Sequence, residues 1–362
     1  MKKILLLDSS YPLNSRNTRL LKTLEKNYEV SFITWNRDES VIEDNEFENR
    51  IFNKKSLYGN KKSKLLNLLS YYKFIKKEIR AKKPDILITS HWDMFFIGSL
   101  LKTKKNYKII YENLDIPESK NRIVEIFLKK VEKFFLKNAD GMIVASRFFV
   151  EKYSFKNTLI YENYPYKYNL LENKKEVFSG GKRTIAYIGT VRYFEVFKNF
   201  ILAFANDSNI NMMIYGGGPD EEKAKKFCEK NSILNIKFNG PYNYKNVNSF
   251  YNQTDLVWAA YPSDSENVKF AISNKFFETL SYKTVGIFSE KTALGDLVKK
   301  ENIGLVVNPY DPVSIRSVVS NVMIKDLENI KENITEYTQW GNIFWEDNEN
   351  RLLYYIKEIE KI

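Results

Sequence analysis

Cysteine and histidine are nearly missing from this chain of 362 residues, which carries one of each, Cys228 and His91. A lone thiol excludes an internal disulfide framework and a cysteine metal cluster, and a lone imidazole excludes paired-histidine zinc sites. Cys228 is expected to serve helix packing. Long apolar runs are missing too: no stretch reaches the eighteen or so apolar residues of a membrane-spanning helix. The start, Met1 to Asp8, is too short for a signal peptide and puts Asp8 where an apolar core would continue. A cytoplasmic protein is the expectation. Acidic residues are in deficit, 45 Asp and Glu against 57 Lys and Arg, for a net charge of +12. That balance implies an acidic partner: nucleic acid, an anionic membrane face or phosphorylated substrates. The chain has no zinc knuckle, recognition-helix module or RNA-binding aromatic signature, so nucleic acid is not expected.

What is present is enough apolar material for two cores. The chain exceeds the comfortable size of one, and 43% hydrophobic and 15% aromatic residues support packing in both. Short apolar runs alternate with segments of helical period: 3–7, 30–34, 86–89, 109–111, 142–145 and 159–161, then 184–188, 212–215, 236–238, 256–260, 285–289 and 305–307. Strand and helix in alternation predict an α/β protein of two doubly wound parallel sheets. The stretch 164–182, with Pro165, a charged cluster and Ser179-Gly180-Gly181, breaks the pattern with linker composition. The expected divisions are therefore 1–168, a linker 169–182, a second domain 183–336 and a C-terminal crossover segment 337–362, with Trp340 and Trp345 as anchors before the helical 350–359. In such sheets ligands bind beyond the carboxyl ends of the strands, so two facing sheets leave a cleft as the default site.

One segment stands out, Ser273-Asn274-Lys275-Phe276-Phe277-Glu278-Thr279-Leu280. Ser273 and Asn274 are N-cap candidates, and free N–H groups at a helix start attract phosphate. Lys275 would share the anionic oxygens, and Glu278, one turn in, could accept hydrogen bonds from ribose hydroxyls. The competing reading is an amphipathic helix with a solvated glutamate.

Further pieces bear on that choice. Tyr187-Ile188-Gly189-Thr190-Val191-Arg192 puts a glycine and a basic residue after a strand; Ile214 to Asp220 and Phe238-Asn239-Gly240-Pro241-Tyr242 are two more strand-turns; Ala139 to Ser146 and Glu162-Asn163-Tyr164-Pro165 close the first half. In this order and spacing the sequence resembles the GT-B glycosyltransferases, and within them the family-four group of bacterial surface-polysaccharide enzymes. The resemblance implies two Rossmann-like domains, an acceptor domain then a nucleotide-sugar donor domain, with a C-terminal helix packing back. It implies donor binding by Gly189, Thr190, Arg192, Gly217, Pro241, Tyr242, Ser273, Asn274, Lys275 and Glu278. Arg192 and Lys275 would neutralise the diphosphate in place of a divalent metal, so neither metal nor cofactor is expected. In the first half, His91 after a strand could contact donor or acceptor, and Asp115 or Glu112 could orient the acceptor hydroxyl or act as base. The Tyr11-Pro12-Leu13-Asn14-Ser15-Arg16 segment stands where relatives have a glycine pair. One departure matters: many relatives carry two glutamates separated by seven residues, and the first position is Phe270 here. Retention of anomeric configuration is implied, the leaving phosphate assisting the incoming hydroxyl.

Basic residues cluster between Lys54 and Lys83, among them Lys73, Lys76, Lys77, Arg80 and Lys82 against the single acid Glu78. Near an anionic leaflet each adds roughly 1 kcal/mol of attraction. The apolar stripe Leu65, Leu68, Leu69, Tyr72 and Ile79 is expected to face the core. A second helix, 121–137, mixes Ile126, Phe127, Val131, Phe134 and Phe135 with Lys129, Lys130 and Lys133 and would extend the basic surface. The expected function is transfer of a sugar from a nucleotide sugar, a UDP-sugar in the first instance, to a lipid-linked or growing cell-surface glycan such as capsule or lipopolysaccharide, at the inner face of the plasma membrane. The alternatives are a GT-B epimerase and a non-catalytic GT-B subunit that binds nucleotide sugar or glycan.

Overall fold

The computed structural model describes residues 1–40, 46–56, 61–102, 107–119, 121–167, 181–339 and 341–362, with the backbone alone for 61–66. Two compact units result, Met1–Glu162 with Asn348–Ile362, and Asn163–Asp347. Trp340 and most of the expected linker lie outside the described residues.

In the first unit β1 (Lys3–Leu7), β2 (Glu29–Asn36), β3 (Glu48–Asn53), β4 (Ile86–Ser90), β5 (Lys108–Asn113), β6 (Gly141–Val144) and β7 (Thr158–Ile160) form a parallel sheet in the order β3-β2-β1-β4-β5-β6-β7. Strands covered on both faces read as continuous apolar runs, and Ile4 to Leu7 and Ile86 to Ile88 are fully buried. β3 is not marked by an apolar run because it is an edge strand: Glu-Asn-Arg-Ile-Phe-Asn is half-buried and, among the described residues, pairs with β2 alone.

Helices α1 (Ser15–Leu24), α2 (Lys61–Lys82), α3 (Trp92–Leu101) and α4 (Arg122–Phe135) connect the strands. Parallel crossovers are right-handed, and β3 to β4, β4 to β5 and β5 to β6 all step the same way along the sheet, so α2, α3 and α4 share a face while α1 takes the other. The core-facing side of α2 is Tyr71, Ile75 and Ile79; of the expected stripe only Ile79 is buried, while Leu69 is 71% exposed, Leu68 and Tyr72 are half-buried and the Leu65 side chain lies outside the described residues, so the stripe is rotated from the expected one.

The second unit repeats the plan with β8 (Arg183–Ile188), β9 (Ile210–Tyr215), β10 (Ile236–Phe238), β11 (Leu256–Trp258), β12 (Val285–Ser289) and β13 (Gly304–Val307) in the order β10-β9-β8-β11-β12-β13. Its helices are α5 (Phe194–Phe204), α6 (Glu221–Lys230), α7 (Val247–Asn252), α8 (Glu266–Phe270), α9 (Asn274–Ser281), α10 (Ala293–Glu301), α11 (Pro312–Ser320) and α12 (Ile324–Gln339). Phe200 of α5 stacks on Trp258 of β11 at 4.9 Å, and Cys228 is buried on α6. The last helix, α13 (Trp345–Lys361), belongs from Asn348 onward to the first unit. There the Tyr355 hydroxyl accepts from the Met142 amide at 2.7 Å and donates to the Asn157 carbonyl at 2.7 Å, and Glu349 pairs with Lys26. Among the described residues no helix is long and apolar enough to cross a membrane.

Beneath α4 lies a buried polar cluster. Tyr111 and Tyr153 donate to the Glu132 carboxylate, and Asn113 donates to both phenols. Burial pushes the Glu132 carboxyl up to about 7 from the ordinary 4.5, outweighing the lowering effect of its donors. Between those values the native state holds a proton that the unfolded chain has released, so stability falls as pH rises from about 4.5 through about 7. The loss from this group is on the order of 3 kcal/mol. Glu132→Gln should flatten that slope, which urea-unfolding midpoints measured near pH 5 and pH 8 would reveal; an unchanged slope would place the proton elsewhere.

Candidate functional site

Three strands of the second sheet end in glycine turns whose backbones interlock. The Gly189 amide donates to the Tyr215 carbonyl at 2.8 Å, Val191 to Gly217 at 2.9 Å, and Gly216 to Gly240 at 2.8 Å. The approach is closer than a side chain allows: a Cβ on Gly216 would lie 2.0 Å from the Gly189 carbonyl oxygen. Gly189 itself sits at φ +138°, and a Cβ there would come within 2.6 Å of the Lys275 Nζ. The ammonium therefore occupies the space that a side chain at 189 would fill.

Lys275 lies in the first turn of α9 and is only 8% exposed. Its Nζ stands 5.8 Å from the Tyr187 ring centroid, and among the described residues it has no carboxylate partner. Uncompensated charge in such a place is costly. Ser273 occupies the N-cap position expected of it but makes no capping bond; its Oγ is buried without a partner, and Asn274 is exposed. The helix start, with its partial positive charge, thus adds to that of Lys275.

Glu278 is buried, 5% exposed, which overturns the solvated-glutamate reading. Tyr244 donates to its Oε1 at 2.9 Å and Tyr251 to its Oε2 at 2.7 Å, and Tyr251 stacks on Tyr282. Each oxygen keeps acceptor capacity beyond its phenol. Burial raises the Tyr251 phenol far above its usual range, with Glu278 adding to the effect, so it stays a donor. Tyr242 is half-buried against Phe250 at 5.0 Å, Phe250 stacks on Tyr215, and Pro241 covers Gly217. Thr190 is exposed and accepts through its carbonyl from the Tyr187 hydroxyl at 2.6 Å. Arg192 is exposed, its guanidinium 4.9 Å from the Tyr193 ring and 6.0 Å from that of Tyr261, with no acidic partner among the described residues. Phe270 ends α8, and Asp264 is held by the Tyr310 hydroxyl.

The tyrosine shell of Tyr187, Tyr244, Tyr251 and Tyr261 was not anticipated. Tyr244 and Tyr251 lie 34 and 27 residues before the carboxylate they serve, and no local spacing marks them.

A separate polar cluster occupies the carboxyl ends of β1, β4 and β5 in the first unit. His91 follows β4 at φ +70°, N-caps α3 without a side-chain bond, and brings its Nδ1 to 3.7 Å from an Asp115 carboxylate oxygen. Asp115 is exposed. Glu112 is not available as a base in this arrangement: it is fully buried, paired with Arg16 at 2.9 Å and accepting from Ser90 at 2.7 Å. Asp8, also fully buried, accepts from Ser10 and Asn17; burial raises its carboxyl despite the opposing influence of His91. The Asn14 side chain caps α1, which gives the Tyr11 to Arg16 segment a structural task.

The family described as Glycosyl transferases group 1 matches residues 171–339, and Glycosyltransferase Family 4 matches residues 14–154. Among curated proteins no relative matches the sequence. Similar solved structures include a sucrose-phosphate synthase from Thermosynechococcus elongatus, at 14% identity and TM-score 0.75 over 99% of both chains. Anabaena HepE in complex with UDP-glucose superposes with TM-score 0.72 at 11% identity, over 99% of this chain and 100% of the other. The lipopolysaccharide outer core galactosyltransferase WaaB in its apo form gives TM-score 0.64 at 13% identity over 99% of both chains. These likenesses concern the fold; the two family matches between them take in most of both units. The chain belongs to the GT-B glycosyltransferases of the family-four type, and is an enzyme of that class.

Proposed function

We propose that this glycosyltransferase takes its sugar from a UDP-sugar and passes it, with retention and without a metal ion, to a lipid-linked or growing cell-surface polysaccharide at the cytoplasmic face of the membrane. The observation that carries the reading is Lys275, a buried ammonium with no carboxylate partner among the described residues, placed against a glycine at the start of a helix without a side-chain cap. A diphosphate supplies the missing anion. As the glycosidic bond breaks, negative charge grows on the leaving phosphate, and fixed positive charge from Lys275, Arg192 and the α9 amides stabilises it most at that moment. Glu278, oriented by two phenols, would accept from the ribose hydroxyls. Tyr242 offers an aromatic surface for the base. With retention the departing phosphate oxygen assists the incoming hydroxyl on the same face, so the groups that hold the phosphate also serve deprotonation. His91 with Asp115 is the corresponding pair for acceptor or sugar hydroxyls in the first unit.

HepE, similar in fold, was solved with UDP-glucose, and WaaB is named for lipopolysaccharide assembly; these support the donor and the acceptor class respectively. Phe270, standing where relatives carry a glutamate, favours one other reading, a non-catalytic subunit. Thermal melts with UDP-, GDP-, TDP- and CMP-sugars, each with EDTA or magnesium, address the donor: a stabilising shift with UDP-sugars that EDTA leaves intact is expected. No shift with any nucleotide would defeat the donor reading, and binding without release of UDP would favour the subunit.

Two substitutions sharpen the geometry. Lys275→Met should weaken UDP binding by about 1.5–3 kcal/mol, the scale of a charged hydrogen bond, as measured by calorimetry. Gly189→Ala should reproduce much of that loss with Lys275 intact, because the added Cβ displaces the ammonium; equal affinity in this variant would show that the lysine position is not what binds.

A further inference from the structure

Helix α4 turns the wrong way for a helix that merely covers a sheet. The usual orientation puts the apolar stripe inward and charge outward. Here the side chain buried beneath the helix is Glu132, while Ile123 is 78%, Phe127 63% and Phe134 59% exposed, with Val124 and Ile126 beside them. The rotation is fixed from below by the Tyr111 and Tyr153 hydrogen bonds to Glu132, and from the side by Phe135 packing edge-on against Phe96 of α3 at 5.0 Å. At the helical repeat, Lys130 and Lys133 fall on the same outward side as the exposed apolar residues, and Lys137, in the 3-10 turn Leu136–Asn138 that follows, joins them through Phe134. None of the three has an acidic partner among the described residues, and the Lys137 Nζ rests 3.7 Å over the Phe134 ring. The exposed Lys73, Lys77 and Arg80 of α2 lie on the same face of the sheet.

We infer that α4 is a membrane-docking helix that lies in the interface of an anionic phospholipid bilayer, Ile123, Phe127 and Phe134 entering the acyl boundary while Lys130, Lys133 and Lys137 meet headgroup phosphates. Apolar side chains interleaved with long basic ones suit that interface, where lysine stems lie along the acyl region and the ammonium reaches the phosphates. A second copy of the chain is a poor occupant, since an isologous contact would set this lysine row against itself. The inference deepens the membrane part of the proposed function by naming the surface, and moves it from the basic charge of α2 to the apolar face of α4.

The test is co-sedimentation of the full chain with phosphatidylcholine vesicles, with and without phosphatidylglycerol, at low and raised salt. The wild type should bind the phosphatidylglycerol vesicles and keep part of that binding at raised salt. Phe127→Ser with Phe134→Ser should lower the partition at least about tenfold, and Lys130→Glu with Lys133→Glu should remove the preference for anionic lipid. All four side chains point to solvent, so the variants should keep the parent melting temperature and its shift with UDP-sugar. No binding of the wild type to anionic vesicles, or binding that the phenylalanine pair leaves unchanged, overturns the inference. A dimer in light scattering that the same pair dissociates would assign the face to a second copy and overturn it equally. Donor binding without vesicle binding defeats this inference alone; vesicle binding without donor binding defeats only the donor reading.

Discussion

Lys275 is the constraint around which the second unit is arranged. An ammonium ion largely kept from water and, among the described residues, given no carboxylate is a state that folding does not reach without some return, since an ion removed from solvent loses several kcal/mol of hydration even after relaxation. The surroundings show how the site is kept open. Glycine at 189 vacates the volume that the ammonium takes, the close approach of Gly216 to the Gly189 carbonyl fixes that turn, and the helix start brings partial positive charge instead of a counterion. The nearby acid, Glu278, is committed to Tyr244 and Tyr251 and so is held away from pairing with the lysine. Positive charge and carboxylate are thus presented separately, the arrangement that a ligand with an anionic and a hydroxylated part requires.

The first unit solves a related problem by opposite means. Its buried charges, Arg16 with Glu112 and Asp8 with Ser10 and Asn17, are satisfied internally and brace the strand ends that carry His91. At its surface stand the pair of His91 with Asp115 and the outward side of α4. Glu132 belongs to the internal network and also sets the rotation of α4, so one buried carboxyl decides which side chains the helix shows to solvent.

Much of the fold was legible because strands covered on both faces must be apolar along their whole length, as Ile4 to Leu7 and Ile185 to Ile188 are. β3 was not, because an edge strand with polar residues has no such run. Lys275 and Glu278 were readable as residue types one turn apart at a helix start. Their states were not: whether a lysine has a partner, or a glutamate is solvated, depends on side chains that only the fold brings near, such as Tyr251. The mixed composition of α4 could be read along the chain, but its rotation could not, since that is set by Tyr111 of β5 and by Tyr153 of the loop before β7. Phe270 was visible as a departure from the family pattern.

The central claim is that the unpartnered ammonium is the diphosphate site. A crystal structure of the chain grown with UDP tests it most directly: the account predicts a phosphate oxygen within hydrogen-bond distance of the Lys275 Nζ and a ribose hydroxyl on Glu278. A diphosphate bound elsewhere, with Lys275 still facing Gly189 alone, would contradict it.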